Sequence, residues 1–344
     1  MQRPYERRTP AGLILPRAHV GLRGRVRWQV LDERGVPEIP RGPGGFPIGP
    51  ADGVEQPNLL LNGFMDGVGT SLGVWSYHLR RNFLVGTGST APAVTDGALV
   101  NEVQRLYAGT AGPTNTGTID TDANVMRIES VLPRQVTLTA DRNLTEFGLG
   151  ATNDSTCLIR ELFRDEVGDP VTISLLNGKA LILTHTLFGE IPAPVAGTFF
   201  EFDLEQYDAT NTLVSTTPYD CTFGPMADSG FIVDLFEAWE PYRTTICLPV
   251  ISATTYNRNT TLGTASSSAA PQFSAQAYTA GTYTRTKKAT VPAATYGGST
   301  WYGFVMTRTQ SRGFVCLFDS PATYAKPSTD TVEIDWISSW ARAA

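Results

Sequence analysis

Histidine and cysteine are scarce in this chain, three and four among 344 residues, and neither type clusters. His19, His78 and His185 have no cysteine or second histidine three to five residues away, the spacing that neighbouring metal ligands use, so the imidazoles read as core or surface groups and no metal site is expected. Cys157, Cys221, Cys247 and Cys316 form no C-x-x-C pair. The segment after Met1 has no apolar export core, so the thiols are expected to stay reduced, with Cys316 between Phe314 and Phe318 as a small core residue. No run of about 18 uninterrupted apolar residues exists, and neither secretion nor membrane insertion is expected. Lysine is rare too: of 27 basic residues only Lys179, Lys287, Lys288 and Lys326 are lysines, which leaves the chain arginine-rich.

The signatures of common chemistries are also missing. Gly86-Thr-Gly-Ser89 lacks the second glycine with Lys and Ser/Thr of a phosphate-binding loop, and the three spaced glycines of a dinucleotide fingerprint. No serine sits in G-x-S-x-G, the strained elbow that exposes an esterase nucleophile. Glycosidases work with two acids several ångströms apart, and Glu201-Phe-Asp203-Leu-Glu205 and Glu333-Ile-Asp335 place acids at alternate positions. Their partners Phe202, Leu204, Val332, Ile334 and Trp336 then face the other way, which is the pattern of a half-buried strand with a solvated face. Pairing of these acids with basic residues on a neighbouring strand or subunit explains them more simply than catalysis. The reading is of a protein that is not an enzyme and carries no cofactor.

What the chain has in abundance is turn-formers and strand-formers. With 33 Gly, 23 Pro, 12 Tyr and 16 Phe among frequent Thr and Ser, strands joined by turns are favoured over long helices. The fold class expected is mainly β: an antiparallel β-sandwich or jelly-roll-like arrangement with two or three short helices and an extended N-terminal arm. Asn177-Gly178 between Val171–Leu176 and Lys179–Leu187 predicts a β-hairpin, because both residues tolerate the left-handed region that a two-residue turn needs. Further strands are expected at 125–132, 136–139, 198–204, 245–251, 278–290, 301–307, 314–318 and 332–337, and short helices at about 56–69, 95–107 and 228–240, the last of which reads equally as a buried strand. The Thr/Ser/Ala-rich stretch 257–270 reads as an exposed loop. Three parts are expected: an arm over 1–57, a β-rich core with short helices and the hairpin over 58–190, and a second β-rich part over 191–344, either separate or continuous with the same sandwich.

Charge is unevenly placed. Residues 1–41 hold nine arginines against Glu6, Asp32, Glu33 and Glu38, a net +5, which leaves −11 on the remainder from the total of −6. Pro4, Pro10, Pro16, Pro37, Pro40, Pro43, Pro47 and Pro50 keep most of this segment from regular structure, and only Arg25-Val-Arg-Trp-Gln-Val-Leu31 alternates like a strand. Arginine suits protein interfaces because its planar fork pairs with carboxylates at two points. The candidate interface residues are therefore Arg3, Arg7, Arg8, Arg23, Arg25, Arg27 and Trp28. Trp28, Trp75, Trp301 and Trp340 would supply interface energy or fill the core. Nucleic acid is disfavoured as the partner: five net charges spread over 41 residues, with Tyr5 and Trp28 the only aromatics, do not concentrate into a phosphate-binding patch.

The most informative stretch is Val85-Gly-Thr-Gly-Ser-Thr-Ala-Pro-Ala-Val-Thr-Asp96. Its glycines permit tight turns, Pro92 biases Ala91 toward an extended conformation, and Thr95 or Asp96 can cap a helix carrying Leu99, Val103 and Leu106. It reads as a structural joint rather than a reaction centre. The run Asn58-Leu-Leu-Leu-Asn-Gly-Phe-Met-Asp66, the Val-Gly-Thr-Gly-Ser-Thr-Ala-Pro loop and Leu144-Thr-Glu-Phe-Gly148 together resemble a family of tailed-bacteriophage virion proteins described as tail or tail-fibre components. Ser320–Pro327, the alternating Thr331–Trp336 and Ser339-Trp-Ala-Arg342 are similar to the closing strand and Trp-x-Arg ending of that family. The resemblance touches residues 58–188 and about 300–342. It implies a virion structural protein made in the bacterial host cytoplasm and located in the tail or head-tail region. Its partners would be other copies of itself and other phage tail, collar or fibre proteins. The alternatives are a receptor- or glycan-binding fibre module and, with less support, a polysaccharide depolymerase.

Overall fold

The computed structural model describes residues 13–14, 18–70, 82–106, 114–150, 156–192, 197–207, 212–226, 232, 236, 239, 245–252, 256, 271–292, 295–309, 312–329 and 331–343. The fold is mainly β, as the composition predicts. The chain divides into two compact modules, each assembled from distant stretches of sequence. Residues 21–116, 129–189 and 341–344 form what we call the arginine module; residues 1–20, 117–128 and 190–340 form the aromatic module.

In the arginine module the strand Ala18–Leu31 pairs antiparallel with Val54–Leu60, Gly24 opposite Asn58 and Trp28 opposite Val54. Val54–Leu60 continues onto Cys157–Leu162, which pairs with Glu146–Gly150, then Asn82–Gly86, then Glu102–Leu106. Within the segment expected as an extended arm, Ala18–Leu31, Pro37–Glu38 and Val54–Leu60 pair into a sheet. The alternation from Val20 to Val30 explains why: Val20, Leu22, Val26, Trp28 and Val30 all point inward and are buried, and burying them outweighs the turn-forming prolines that follow. On that inner face Trp28 meets Phe163 edge-on at 5.9 Å, and Phe163 meets Phe147 at 5.0 Å. Gln56, buried beside them, accepts from the Trp28 indole N–H (3.1 Å) and the Arg164 backbone N–H (2.9 Å) and donates to Leu162 C=O (2.7 Å), so its amide is satisfied without water.

In the aromatic module Thr198–Tyr207, Leu213–Met226, Arg312–Ser320, Gly303–Thr309, Thr245–Val250, Gln272–Ala275, Thr284–Val291 and Val332–Arg342 follow one another as antiparallel neighbours. The order returns on itself, since Trp336 on the last strand lies 5.4 Å from Phe223 and 5.3 Å from Phe314. Trp239 and Trp340 pack edge-on at 6.2 Å. Positions 232, 236 and 239 are helical and buried, the i, i+4, i+7 set that the spacing near 228–240 predicts.

Three local expectations are corrected. The helix expected at 56–69 begins only at Asn62, running Asn62–Thr70 after the strand Val54–Leu60. The helix expected at 95–107 is instead a loop leading into the strand Glu102–Leu106, because pairing with Asn82–Gly86 captures its apolar residues. The Asn177-Gly178 turn closes, with Lys179 N–H donating to Leu176 C=O (3.1 Å), but Ile173–Leu175 pairs with Arg142–Leu144 rather than with Ala180–Pro192. Gly178 has a positive φ of 88° and Asn177 does not share it, so the turn is not the doubly left-handed type whose twist matches a hairpin, and its flanking strands diverge.

Candidate functional site

Residues 87–101 form a long connection without secondary structure, laid across the sheet face opposite Trp28, Phe147 and Phe163. Glycine makes the close approach possible. A methyl group at Gly86 would stand 2.6 Å from Asn101 O and 2.7 Å from Glu146 Oε1, and one at Gly88 would collide with Glu146 Oε1 and Val100 Cβ. At Gly148 it would meet Ile159 O at 2.6 Å and Leu99 Cδ2 at 3.1 Å. Leu99 closes this face as part of an apolar cluster with Leu61, Leu84 and Cys157.

Beneath the loop lies a carboxylate with no exposure. Glu146 accepts backbone N–H bonds from Gly88 (3.0 Å), Asn101 (2.9 Å) and Val100 (3.1 Å), and its Oε2 pairs with Arg160 Nε at 2.9 Å. The side chains of Glu146 and Arg160 are 0% and 1% exposed. Arg160 spends its other donors on the loop, giving Nη1 to Asp96 Oδ2 (2.5 Å) and Nη2 to Thr90 C=O (2.8 Å). Burial works against the Arg160 charge, yet the bonds to Asp96 and Glu146 outweigh it and make the guanidinium hold its proton more tightly than usual. Burial likewise opposes ionisation of Asp96, but the Ala93 N–H and Arg160 prevail and hold its carboxyl below the ordinary value. Glu146 has two bonds on each oxygen and Asp96 accepts two on Oδ2, an arrangement suited to fixing backbone.

Three of the stretches that carry the resemblance, and Arg342 from its Trp-x-Arg ending, lie together here. Asn62 N–H donates to Val94 C=O (2.8 Å), Cys157 N–H to Gly97 C=O (2.7 Å), and Thr145 Oγ1 to Gly88 C=O (2.7 Å). Arg342 completes the set by donating Nε to Leu60 C=O (2.6 Å) and Nη2 to Asn62 Oδ1 (2.7 Å). In the sequence reading Glu146 and Arg342 figure only as parts of the Leu144–Gly148 block and the Trp-x-Arg ending, with no role assigned, and Arg160 does not figure.

Of the candidate interface residues, Arg3, Arg7 and Arg8 lie outside the described residues, as do Trp75 and His78. Arg23, Arg25 and Arg27 share the outer face of one strand. The guanidiniums of Arg23 and Arg25 sit 4.7 and 5.8 Å from the centre of the Phe188 ring. Arg25 pairs with Glu55 at 2.7 Å, and Arg27 reaches Asp52 through its backbone carbonyl and, at 3.8 Å, its carboxylate. Trp28, on the opposite face, is fully buried and belongs to the core rather than to a surface. Trp301 and Trp340 are also buried.

The other groups weighed from the sequence have ordinary surroundings. Lys288 bonds Glu333 at 2.8 Å and lies 3.8 Å from Asp335 across the strand pair; the Glu333 bond raises the Lys288 pKa, and burial raises that of Asp335. His19 shares a hydrogen bond with Ser339 Oγ at 3.1 Å. His185 is wholly buried, makes no hydrogen bond with either ring nitrogen, and is pushed by burial down to about 3. All four cysteines are free and buried. Among the described residues no three His, Cys, Asp or Glu side chains are grouped to hold a metal ion, and no helix is long and apolar enough to cross a membrane. No family model, curated protein or solved structure matches the chain.

Proposed function

We propose that this protein is a structural component of a tailed-phage virion, in the tail, collar or fibre-attachment region, acting by self-assembly and by docking on neighbouring virion proteins. The observation that carries the reading is that the Asn58–Asp66 and Leu144–Gly148 blocks both bond the clamped loop that holds most of Val85–Asp96, with Arg342 bonded to Asn62 beside it. A buried ion pair stabilises a fold little against an apolar replacement, and its best-attested use is to specify one conformation. A long loop held in one conformation binds with little ordering cost, which suits a part that must fit its neighbours repeatedly. The sandwich-like return of the aromatic module, with Trp336 against Phe223, supports a rigid building block. Arg23, Arg25 and Arg27 supply a cationic face for acidic neighbours. Mass spectrometry of particles purified to homogeneity tests the reading: the polypeptide is expected in fixed ratio to the other virion proteins, and its absence would end the proposal.

A further inference from the structure

A cleft of about 470 Å³ opens on the arginine module, lined by Leu22–Arg25, Glu55–Leu60, Arg342 and Ala343. Its lining carries the guanidiniums of Arg23, Arg25 and Arg342 against the carboxylate of Glu55, with Pro57 and Leu59 as apolar surface between them. Asn58, in the same lining, is 9% exposed, and neither its Oδ1 nor its Nδ2 has a hydrogen-bond partner. Arg342 is held in place by Leu60 C=O and Asn62 Oδ1, and Ala343 N–H by Leu22 C=O at 2.7 Å, so the charged side of the cleft is preformed. Such a volume lies in the range of built ligand sites, and an apolar floor with a few convergent cations fits an extended chain that alternates acidic and apolar side chains.

We infer that this cleft is a docking site for an acidic extended segment of a second copy of the chain. The inference rests on the assembly reading above and names the partner. Charge complementarity argues for it: outside residues 1–41 the sequence carries a net −11, so a copy presents mostly negative surface to a neighbour's cationic cleft. Two runs alternate acids with apolar residues. Glu201-Phe-Asp-Leu-Glu205, with three acids against the two of Glu333-Ile-Asp335, is the run of higher charge and the one assigned to the cleft.

The test uses the full chain. Sedimentation velocity at low and high salt measures self-association, and fluorescence titration with a labelled peptide of residues 200–206, beside its counterpart with Gln and Asn in place of Glu and Asp, measures the cleft. Salt-sensitive association and binding of the acidic peptide are expected, each weakened about tenfold or more in Arg23→Gln and Arg25→Gln. Arg142→Gln, an exposed arginine on the strand Arg142–Leu144 outside the cleft, is expected to leave both unchanged. Circular dichroism of each variant checks that the fold is retained; should Arg25→Gln lose it, Arg23→Gln and the neutral peptide still decide. A chain that stays monomeric at low salt and ignores the peptide overturns the inference, as does association undisturbed in both arginine variants, or binding of a thymidine oligonucleotide in preference to the peptide. Presence of the polypeptide in purified particles is a separate readout, so the docking site can fail while the assembly reading stands.

Discussion

Glu146 and Arg160 meet inside the arginine module with Oε2 and Nε 2.9 Å apart and almost no exposure of either side chain. Between them they bind the backbone of residues 88, 90, 100 and 101 and the carboxylate of Asp96. A loop of modest sequence is thereby tied down at both ends and in the middle.

Removing either partner leaves an unpaired charge where water cannot reach. Glu146→Ala is expected to lower unfolding stability by about 3–5 kcal/mol, read from the denaturant midpoint. Amide exchange at Gly88, Val100 and Asn101 should accelerate in the variant well beyond that of the Trp28–Phe163 core. Uniform acceleration across the module would show that the pair supports the whole sheet rather than the loop.

Glycine substitutions separate close approach from mere flexibility. Gly88→Ala forces a methyl group into Glu146 and Val100, and is expected to cost about 1–3 kcal/mol. A methyl group at Gly97, in the same loop, meets nothing within 4 Å, so Gly97→Ala is expected to be neutral or to stabilise by about 0.4–1 kcal/mol. Thermal melts of the two variants side by side check the contrast.

His185 gives the fold an acid sensitivity. Its pKa falls from 6.5 to about 3 on folding through burial, so the unfolded chain takes up the proton first. The contribution is intact above pH 6.5 and is lost as pH falls toward 3, by about 1.4 kcal/mol for each pH unit. Asp96, held below the ordinary carboxyl value of 3.8, adds loss only at lower pH. His185→Leu is expected to flatten stability between pH 6.5 and about 4 relative to the wild type. Equal slopes in both proteins would contradict the burial of a neutral imidazole.

Cys157 is pushed up to about 12 by burial, and burial likewise raises Cys247 and Cys316. A thiolate is the reactive form, so the native protein is expected to resist an aromatic disulfide reagent at mildly alkaline pH and to react fully once unfolded. Fast native labelling of Cys157 would mean that the clamped loop opens.

Much of the strand content was legible because outward and inward residues alternate, as from Val20 to Val30 and from Val332 to Trp340. The central strands hid their register. Asn82–Gly86, Glu146–Gly150 and Cys157–Leu162 are buried on both faces, and one of those faces carries Gly86, Glu146, Gly148 and Arg160 beside Leu84, since the loop supplies backbone there. Alternation cannot reveal a face that is finished by another segment. The same cause misled the reading of 95–107: Thr95 and Asp96 look like a helix cap, but the Asp96 carboxylate is used by Ala93 N–H and Arg160. Residues 85–96 were recognisable as a joint; what they join to, Glu146 and Arg160, depends on pairings 45 to 70 residues apart that no local pattern carries.

The most direct test is a three-dimensional reconstruction of the intact particle at side-chain resolution. The account predicts copies of this chain in a closed rotational arrangement, with the clamped loop 87–101 in one conformation and the face bearing Arg23 and Arg25 covered by another polypeptide. A particle in which that face and that loop are bare to solvent in every copy would contradict it.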